Sequence, residues 1–217
     1  MADNNSRAGV RYTTPAILEW LHRTHTTHDA ALAAAFDAPA QHGMPAIQVG
    51  PAEGRLLELL VRLVKATRVV EVGTLAGYST IRLGRGMAGG GRLWSCELEE
   101  HNANVARENI ARAGFADRIE VRVGPALKTL PELAAHGPFD VVFVDADKGS
   151  YDVYGRWAAE HLRAGGLLIG DNAFFFGQLL DDTPEAAAMR RFHEEAARVM
   201  DTVCIPTPDG MLLGIKR

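Results

Sequence analysis

The sequence predicts an α/β fold: a doubly wound, mostly parallel sheet with an antiparallel strand pair at its end. Three observations predict it. Five short apolar runs, several rich in β-branched residues, alternate with segments of helical period. The first of them, "RVVEVG", is a short apolar run with β-branched residues, as a strand covered on both faces is. The last two apolar runs, "TVCIPTP" and "MLLGIKR", flank "DG", a pair suited to closing a hairpin.

Residues 14–36 are predicted helical, with Thr14 as N-cap and Pro15 at the first helical position. "AQHGMPAIQVGPAEG" is a turn-rich connector. Helical period returns from Glu53 to Thr67, where Leu56, Leu59, Leu60, Leu63 and Val64 form a stripe. "RVVEVG" is the first buried strand and Thr80 to Met87 the next helix. "GGGRLWSCEL" is a turn feeding the second strand, and the helix "EEHNANVARENIARAG" closes on Gly114. "RIEVRVG" is the third strand, "ALKTLPELAAHG" a short helix and "FDVVFVDA" the fourth strand. "YDVYGRWAAEHLRAGG" is a helix ending in glycines, "LLIGDN" the fifth strand, and 184–200 the last helix before the hairpin.

The 217 residues suffice for one domain, with residues 1–46 as a helical extension and connector. Hydrophobic residues make up 47% and charged residues 23%, values of an ordinary globular protein. The formal net charge of −4 gives no footprint for nucleic acid or an anionic membrane, although it leaves room for a local basic patch. Cys96 and Cys204 stand in apolar surroundings and read as free thiols of a reducing compartment. The polar start "MADNNSRAGVRY" lacks the apolar core of a signal peptide, and no apolar run is long enough to span a membrane. A cytoplasmic protein is expected.

In a doubly wound sheet, ligands bind beyond the carboxyl ends of the strands. The first strand ends in "EVGTLAGYST", where Gly73 and Gly77 permit a sharp turn and a close backbone approach. The dinucleotide fingerprint G-x-G-x-x-G is absent, and Glu71 would not welcome a pyrophosphate. An acid at that turn suits a cationic ligand such as an amine or a sulfonium. The turn alone is equally an ordinary strand-to-helix junction. Glu97, ending the second strand, can accept both hydroxyls of a ribose; it could also be a solvated acid opening a helix. "GPAL" after the third strand could present backbone N–H groups to a base edge. Asp145 ends the fourth strand, Asp171 and Asn172 the fifth. Two carboxylates and an amide converging on one point form the ligand set of a hard divalent cation. Without one, two neighbouring buried carboxylates repel. Each acid taken singly could instead cap a helix or pair with an arginine.

"VVEVGTLAGYST", "GPAL", "FVDADKGSYDVY", "GGLLIGDN" and "IPTPDGMLLGIKR" together resemble the class I, S-adenosylmethionine- and metal-dependent O-methyltransferases, in the caffeoyl-CoA and bacterial catechol branch. The resemblance covers residues 47–217 and implies a Rossmann-like, seven-stranded sheet with a reversed terminal hairpin, usually in a homodimer. It implies donor contacts at Val49, Glu71, Gly73, Thr74, Tyr78, Ser79, Glu97, Ala126 and Asp145. Asp145, Asp171 and Asn172 match the metal ligands, for magnesium first, with calcium or manganese as alternatives. Lys148 matches the catalytic lysine, and Lys148, Tyr151, Asn172 and Phe175 match acceptor-facing positions, Phe175 standing for a tryptophan that lines the acceptor pocket. Asp147 is expected to organise the loop. The implied acceptor is a catechol-like small aromatic. "DNAFFFG" departs from the family pattern because Phe176 replaces a small residue, which reshapes that pocket.

Physical chemistry agrees with the implied reaction. A phenol of pKa near 10 is mostly protonated at neutral pH, and chelation by a cation favours its oxyanion. Lys148 near two cations would lose its proton more readily, unless an ion pair with Asp147 or another acid holds it. Relatives of the family methylate a hydroxylated wobble uridine in tRNA, so a tRNA-modifying enzyme is the alternative; it would need a basic surface beside the site. A binding module without activity would not need Asp145, Lys148, Asp171 and Asn172 together. His22, His25 and His28 recur at three-residue steps along one expected helix face and suit an exposed or dimer-interface role better than a zinc site.

Overall fold

Burial on both sides explains why the five apolar runs pair as they do. In the computed structural model, which describes residues 3, 4 and 12–217, they form β1 (Arg68–Val72), β2 (Arg92–Glu97), β3 (Ile119–Val123), β4 (Phe139–Val144) and β5 (Leu162–Asp171). All neighbouring pairs among these five are parallel. β6 (Met200–Ile205) and β7 (Met211–Lys216) add the antiparallel edge, and the sheet order is β3-β2-β1-β4-β5-β7-β6. One face, with Val69, Leu93, Val141 and Ile169, packs against α3 (Pro51–Leu63), α4 (Tyr78–Gly86) and α5 (Glu100–Arg112). The other, with Val70, Trp94, Val142 and Leu168, packs against α6 (Ala126–Leu133), α7 (Tyr151–His161) and α8 (Pro184–Val199). Helices on both faces cover the central strands, so β1, β2 and β4 lose alternation, while the edge strand β3 keeps it with Glu120 exposed.

Local chemistry sets the helix ends. α5 stops as expected at Gly114, whose φ of +81° suits the left-handed C′ position. Its N–H donates to the Ala111 carbonyl and the Phe115 N–H to the Ile110 carbonyl, the paired bonds of a Schellman cap. The helix expected over 14–36 is two helices, α1 (Pro15–His25) and α2 (Ala30–Gln41). The break is chemical: the Asp29 carboxylate accepts from the Leu32 N–H at 3.0 Å and pairs with Arg85 at 2.6 Å, starting a new helix. Of the expected histidine row, His22 and His28 stay in edge-on ring contact at 5.7 Å, His28 lying beyond α1 with Nε2 2.8 Å from the Tyr78 hydroxyl, while His25 departs to meet Trp20 edge-on.

Three further boundaries differ. α3 runs from Pro51 to Leu63 rather than from Glu53 to Thr67, because proline suits the first helical turn. α7 ends at His161, and Gly165 and Gly166 belong to β5 rather than to a helix end. The β4–β5 register jumps from Phe139–Leu162 to Val141–Leu167, so those glycines bulge out of the ladder. Asp209 and Gly210 lie at the end of a longer connection over 206–210 rather than in a two-residue turn. Both cysteines are free thiols, Cys96 buried and Cys204 half-buried. Among the described residues no helix is long and apolar enough to cross a membrane. The polar start at residues 1–12 lies largely outside the described residues.

Candidate active site

The strand order reverses between β1 and β4, and there the two strand ends touch. Gly73 has φ +101°, and a Cβ on it would stand 1.9 Å from the Asp145 carbonyl oxygen. Only glycine fits so close a passage. Beyond these ends opens a cavity of about 790 Å³, lined along one stretch by Val49, Gly73, Thr74, Glu97 and Ala126 and along another by Asp145, Asp147, Lys148, Asn172 and Phe176. It occupies the crevice where a doubly wound sheet binds its ligands.

Glu97 faces the cavity and is held from both sides. One oxygen accepts from the N–H groups of Thr74 (3.2 Å) and Leu75 (2.8 Å), the other from the Glu99 N–H (3.1 Å) and the Asn102 amide (3.3 Å). The glycine turn thus rests on the carboxylate at the next strand end. Asn102 was not singled out in the sequence; its signal was a polar residue five positions after Glu97, one helical turn into α5.

Glu71, matched to a donor contact, is 0% exposed and lies beneath the cavity wall rather than on it. Its carboxyl accepts from Ser79 Oγ and Ser95 Oγ, each at 2.6 Å, and from the Thr80 hydroxyl. Burial pushes it up to about 7, against the downward pull of those three hydroxyls. Glu71 anchors Ser79, which does line the cavity, to the sheet beneath. Glu71→Ala would leave these hydroxyls without their shared acceptor and is expected to cost about 2–3 kcal/mol, read as a lowered urea midpoint at unchanged slope. Tyr78 lines the cavity, but its hydroxyl turns away to His28 and Arg82, and Arg82 pairs with buried Glu58 at 3.1 Å.

At the other end, Lys148 Nζ lies 3.2 Å from Asp145 Oδ1 and 2.6 Å from the Tyr151 hydroxyl, with the lysine side chain 14% exposed. Its acid partner is therefore Asp145. Asp147 instead accepts from the Tyr154 hydroxyl, tying the loop to α7. Tyr151, matched to an acceptor-facing position, is 0% exposed and lies off the cavity wall. Its hydroxyl reaches the Val144 and Asp171 carbonyls at 3.3 and 3.1 Å, so it supports Lys148 from below rather than facing an acceptor. Burial first, then Asp145 and Asp171, raise Tyr151 well above an ordinary phenol and keep its proton on.

Asn172 lines the cavity at a left-handed φ of +53°, its N–H donating to Asp171 Oδ1 at 2.8 Å. Asp171 lies one layer deeper, 5% exposed, and is raised well above the usual carboxylate range by burial and then by the Asp145 charge. A buried carboxylate, Asp171, beside the half-buried Asp145 and an amide is a donor set that a hard cation would relieve. Among the described residues no three His, Cys, Asp or Glu side chains form a metal-holding group. Phe175 packs partly buried against the core, and of the three phenylalanines 174–176 it is Phe176 that lines the cavity.

Residues 23–217 match the family model of the O-methyltransferases. The catechol O-methyltransferase of Niastella koreensis is 40% identical over 199 residues, which cover 86% of this chain and 90% of that one. That of Mycobacterium tuberculosis is 45% identical over 179 residues, covering 82% and 81%. The solved O-methyltransferase from Bacillus cereus in complex with SAH superposes with a TM-score of 0.89 at 35% identity, over 93% of this chain and 97% of that one. The one from Streptomyces achromogenes involved in tomaymycin synthesis, in complex with SAM, gives 0.86 at 33% identity, over 93% and 96%. With the family model matching residues 23–217 and relatives of 40% and 45% identity covering most of the chain, this protein belongs to the O-methyltransferase family of enzymes.

Proposed function

We propose that this enzyme transfers a methyl group from S-adenosylmethionine to a hydroxyl of a catechol-like, vicinal dihydroxy aromatic small molecule. In this proposal a divalent cation, magnesium first, is held by Asp145, Asp171 and Asn172. The observation that carries it is that one cavity joins the glycine turn and Glu97 to Asp145, Lys148 and Asn172. The names of the two catechol O-methyltransferases support the acceptor, and the solved relative in complex with SAM supports the donor.

Gly73, Thr74 and Ser79 would line the donor's path, with Val49 and Ala126 as apolar walls and Glu97 accepting from the ribose hydroxyls. A bound cation would supply charge stabilisation to the acceptor oxygen, beyond what the protein's own groups offer. Asp145 and Asn172 line the cavity, and Asp171, one layer deeper, would complete the ligand set from beneath them. Lys148, fixed by Tyr151 and Asp145, takes the proton from the acceptor hydroxyl. The acceptor oxygen forms its bond to the methyl carbon as the carbon–sulfur bond breaks, and the sulfur leaves as a neutral thioether.

The unit proposed is a cytoplasmic homodimer of single-domain chains, in which residues 1–46 form an extension. α1 has no buried residue and exposes Ile17, Leu18, Trp20 and Leu21, which a second copy would cover. The test of the reaction uses labelled S-adenosylmethionine, a panel of catechols and a tRNA carrying hydroxyuridine, with and without EDTA. Catechol labelling that EDTA removes and Mg²⁺ restores is expected. No labelled catechol, or indifference to the chelator, would overturn the proposal, and labelled tRNA would favour the alternative acceptor. Light scattering is expected to give twice the chain mass.

A further inference from the structure

Resting on that assignment of the cavity, we propose that Phe176 selects the acceptor. Its ring is a platform at the cavity mouth, clamped there by Asp209, and it favours diol rings bearing an apolar, uncharged substituent. The three phenylalanines of "DNAFFFG" have three different fates. Phe174 packs on Gly210, where a Cβ would come within 2.6 Å of its ring. Phe175 turns into the core. Phe176 lines the cavity together with Asn172 yet is 64% exposed. An aromatic face left open beside the residues proposed to hold a diol is a surface that a flat apolar acceptor would cover.

The chain holds this ring out against its own preference. Phe175 and Phe176 have φ of +48° and +52°, values that bulky side chains rarely adopt. Such a conformation persists where its surroundings over-determine it. Here the β6–β7 connection does so. The Ala173 N–H donates to the Gly210 carbonyl at 3.0 Å and the Phe174 N–H to the Asp209 carbonyl at 2.9 Å. The Phe176 N–H donates to Asp209 Oδ1 at 2.8 Å. The other oxygen of that carboxylate, Oδ2, is buried with no hydrogen-bond partner. A buried oxygen without a partner is unfavourable for stability, and what the other oxygen of this half-buried acid secures is the backbone of Phe176. Asp209 is a positioning residue in this scheme; Phe176 sets specificity.

The test compares kcat and KM for catechol and 4-tert-butylcatechol in the native protein, Phe176→Ala, Asp209→Ala and Asp209→Asn. The native protein is expected to prefer the butylated diol, and Phe176→Ala to lose about tenfold of that preference, mainly through acceptor KM at unchanged donor KM. Asp209→Ala should follow it. Asp209→Asn, whose amide oxygen still accepts from the Phe176 N–H, should keep the native preference. Phe176→Ala with native selectivity overturns the platform, and Asp209→Ala with native selectivity overturns the clamp. A native protein that methylates neither diol overturns the acceptor assignment and the platform with it, a result distinct from unaltered selectivity among active variants.

Discussion

Asp171→Ala is expected to lower methyl transfer about 10²–10⁴-fold while calorimetry finds S-adenosylhomocysteine binding changed by less than about threefold. The several kcal/mol that a cation supplies at a developing oxyanion set the size of the loss. The spared donor binding follows from the geometry, since Asp171 lies behind Asn172 and away from Glu97 and the glycine turn. Turnover at the native rate would remove Asp171 from the proposed ligand set. A metal-free measurement reads the same carboxylate independently of activity. Its folded pKa is raised above the unfolded value of 3.8 by burial and then by Asp145. Its contribution to stability is therefore fully present below pH 3.8 and is lost as pH rises through the folded value. In EDTA, Asp171→Asn should melt above the native protein at pH 8, and the gap should close toward pH 4. An equal gap at both pH values would show that the carboxylate's charge is not what strains the site.

Lys148→Ala is expected to lower kcat about 10²–10⁴-fold with donor affinity nearly unchanged, the range of a removed general base. Lys148→Arg separates two roles for the same side chain. Arginine keeps the cation but has no accessible neutral form, so a proton acceptor is lost as completely as with alanine. Recovery of most of the activity with arginine would instead make Lys148 a holder of the oxyanion. Tyr151→Phe removes the hydroxyl 2.6 Å from Nζ without altering the cavity wall. A smaller loss, confined to kcat, is expected from it.

Much of this was legible in the residues. The central strands β1, β2 and β4 follow from runs of apolar residues, since a strand covered on both faces is written in nearly every position; β3 follows from alternation. The cap at Gly114 is likewise local, because a left-handed residue is a property of that residue and its two neighbours. Asp145, Lys148, Asp171 and Asn172 stand directly after β4 and β5, so placing the strands placed them near one crevice. The helix break at Thr26–Asp29 was harder to read. The Asp29 cap competes with a continuous helix, and its ion pair with Arg85 comes from a distant part of the chain.

The sequence by itself determined the sheet, the family resemblance and the set of polar groups that gather at the strand ends. These depend on periodicity, caps and motifs, all short-range along the chain. Only the tertiary structure decided which of those groups reach the cavity. Glu71 and Tyr151 sit among chemistry-bearing residues in sequence but are sealed behind Ser79 and Lys148, and the ring at the wall is Phe176 rather than Phe175. The reason is physical. A motif states which residues follow a strand, whereas exposure depends on contacts from elsewhere: Ser95 beside Glu71, and the Asp209 carboxylate on the loop of Phe176.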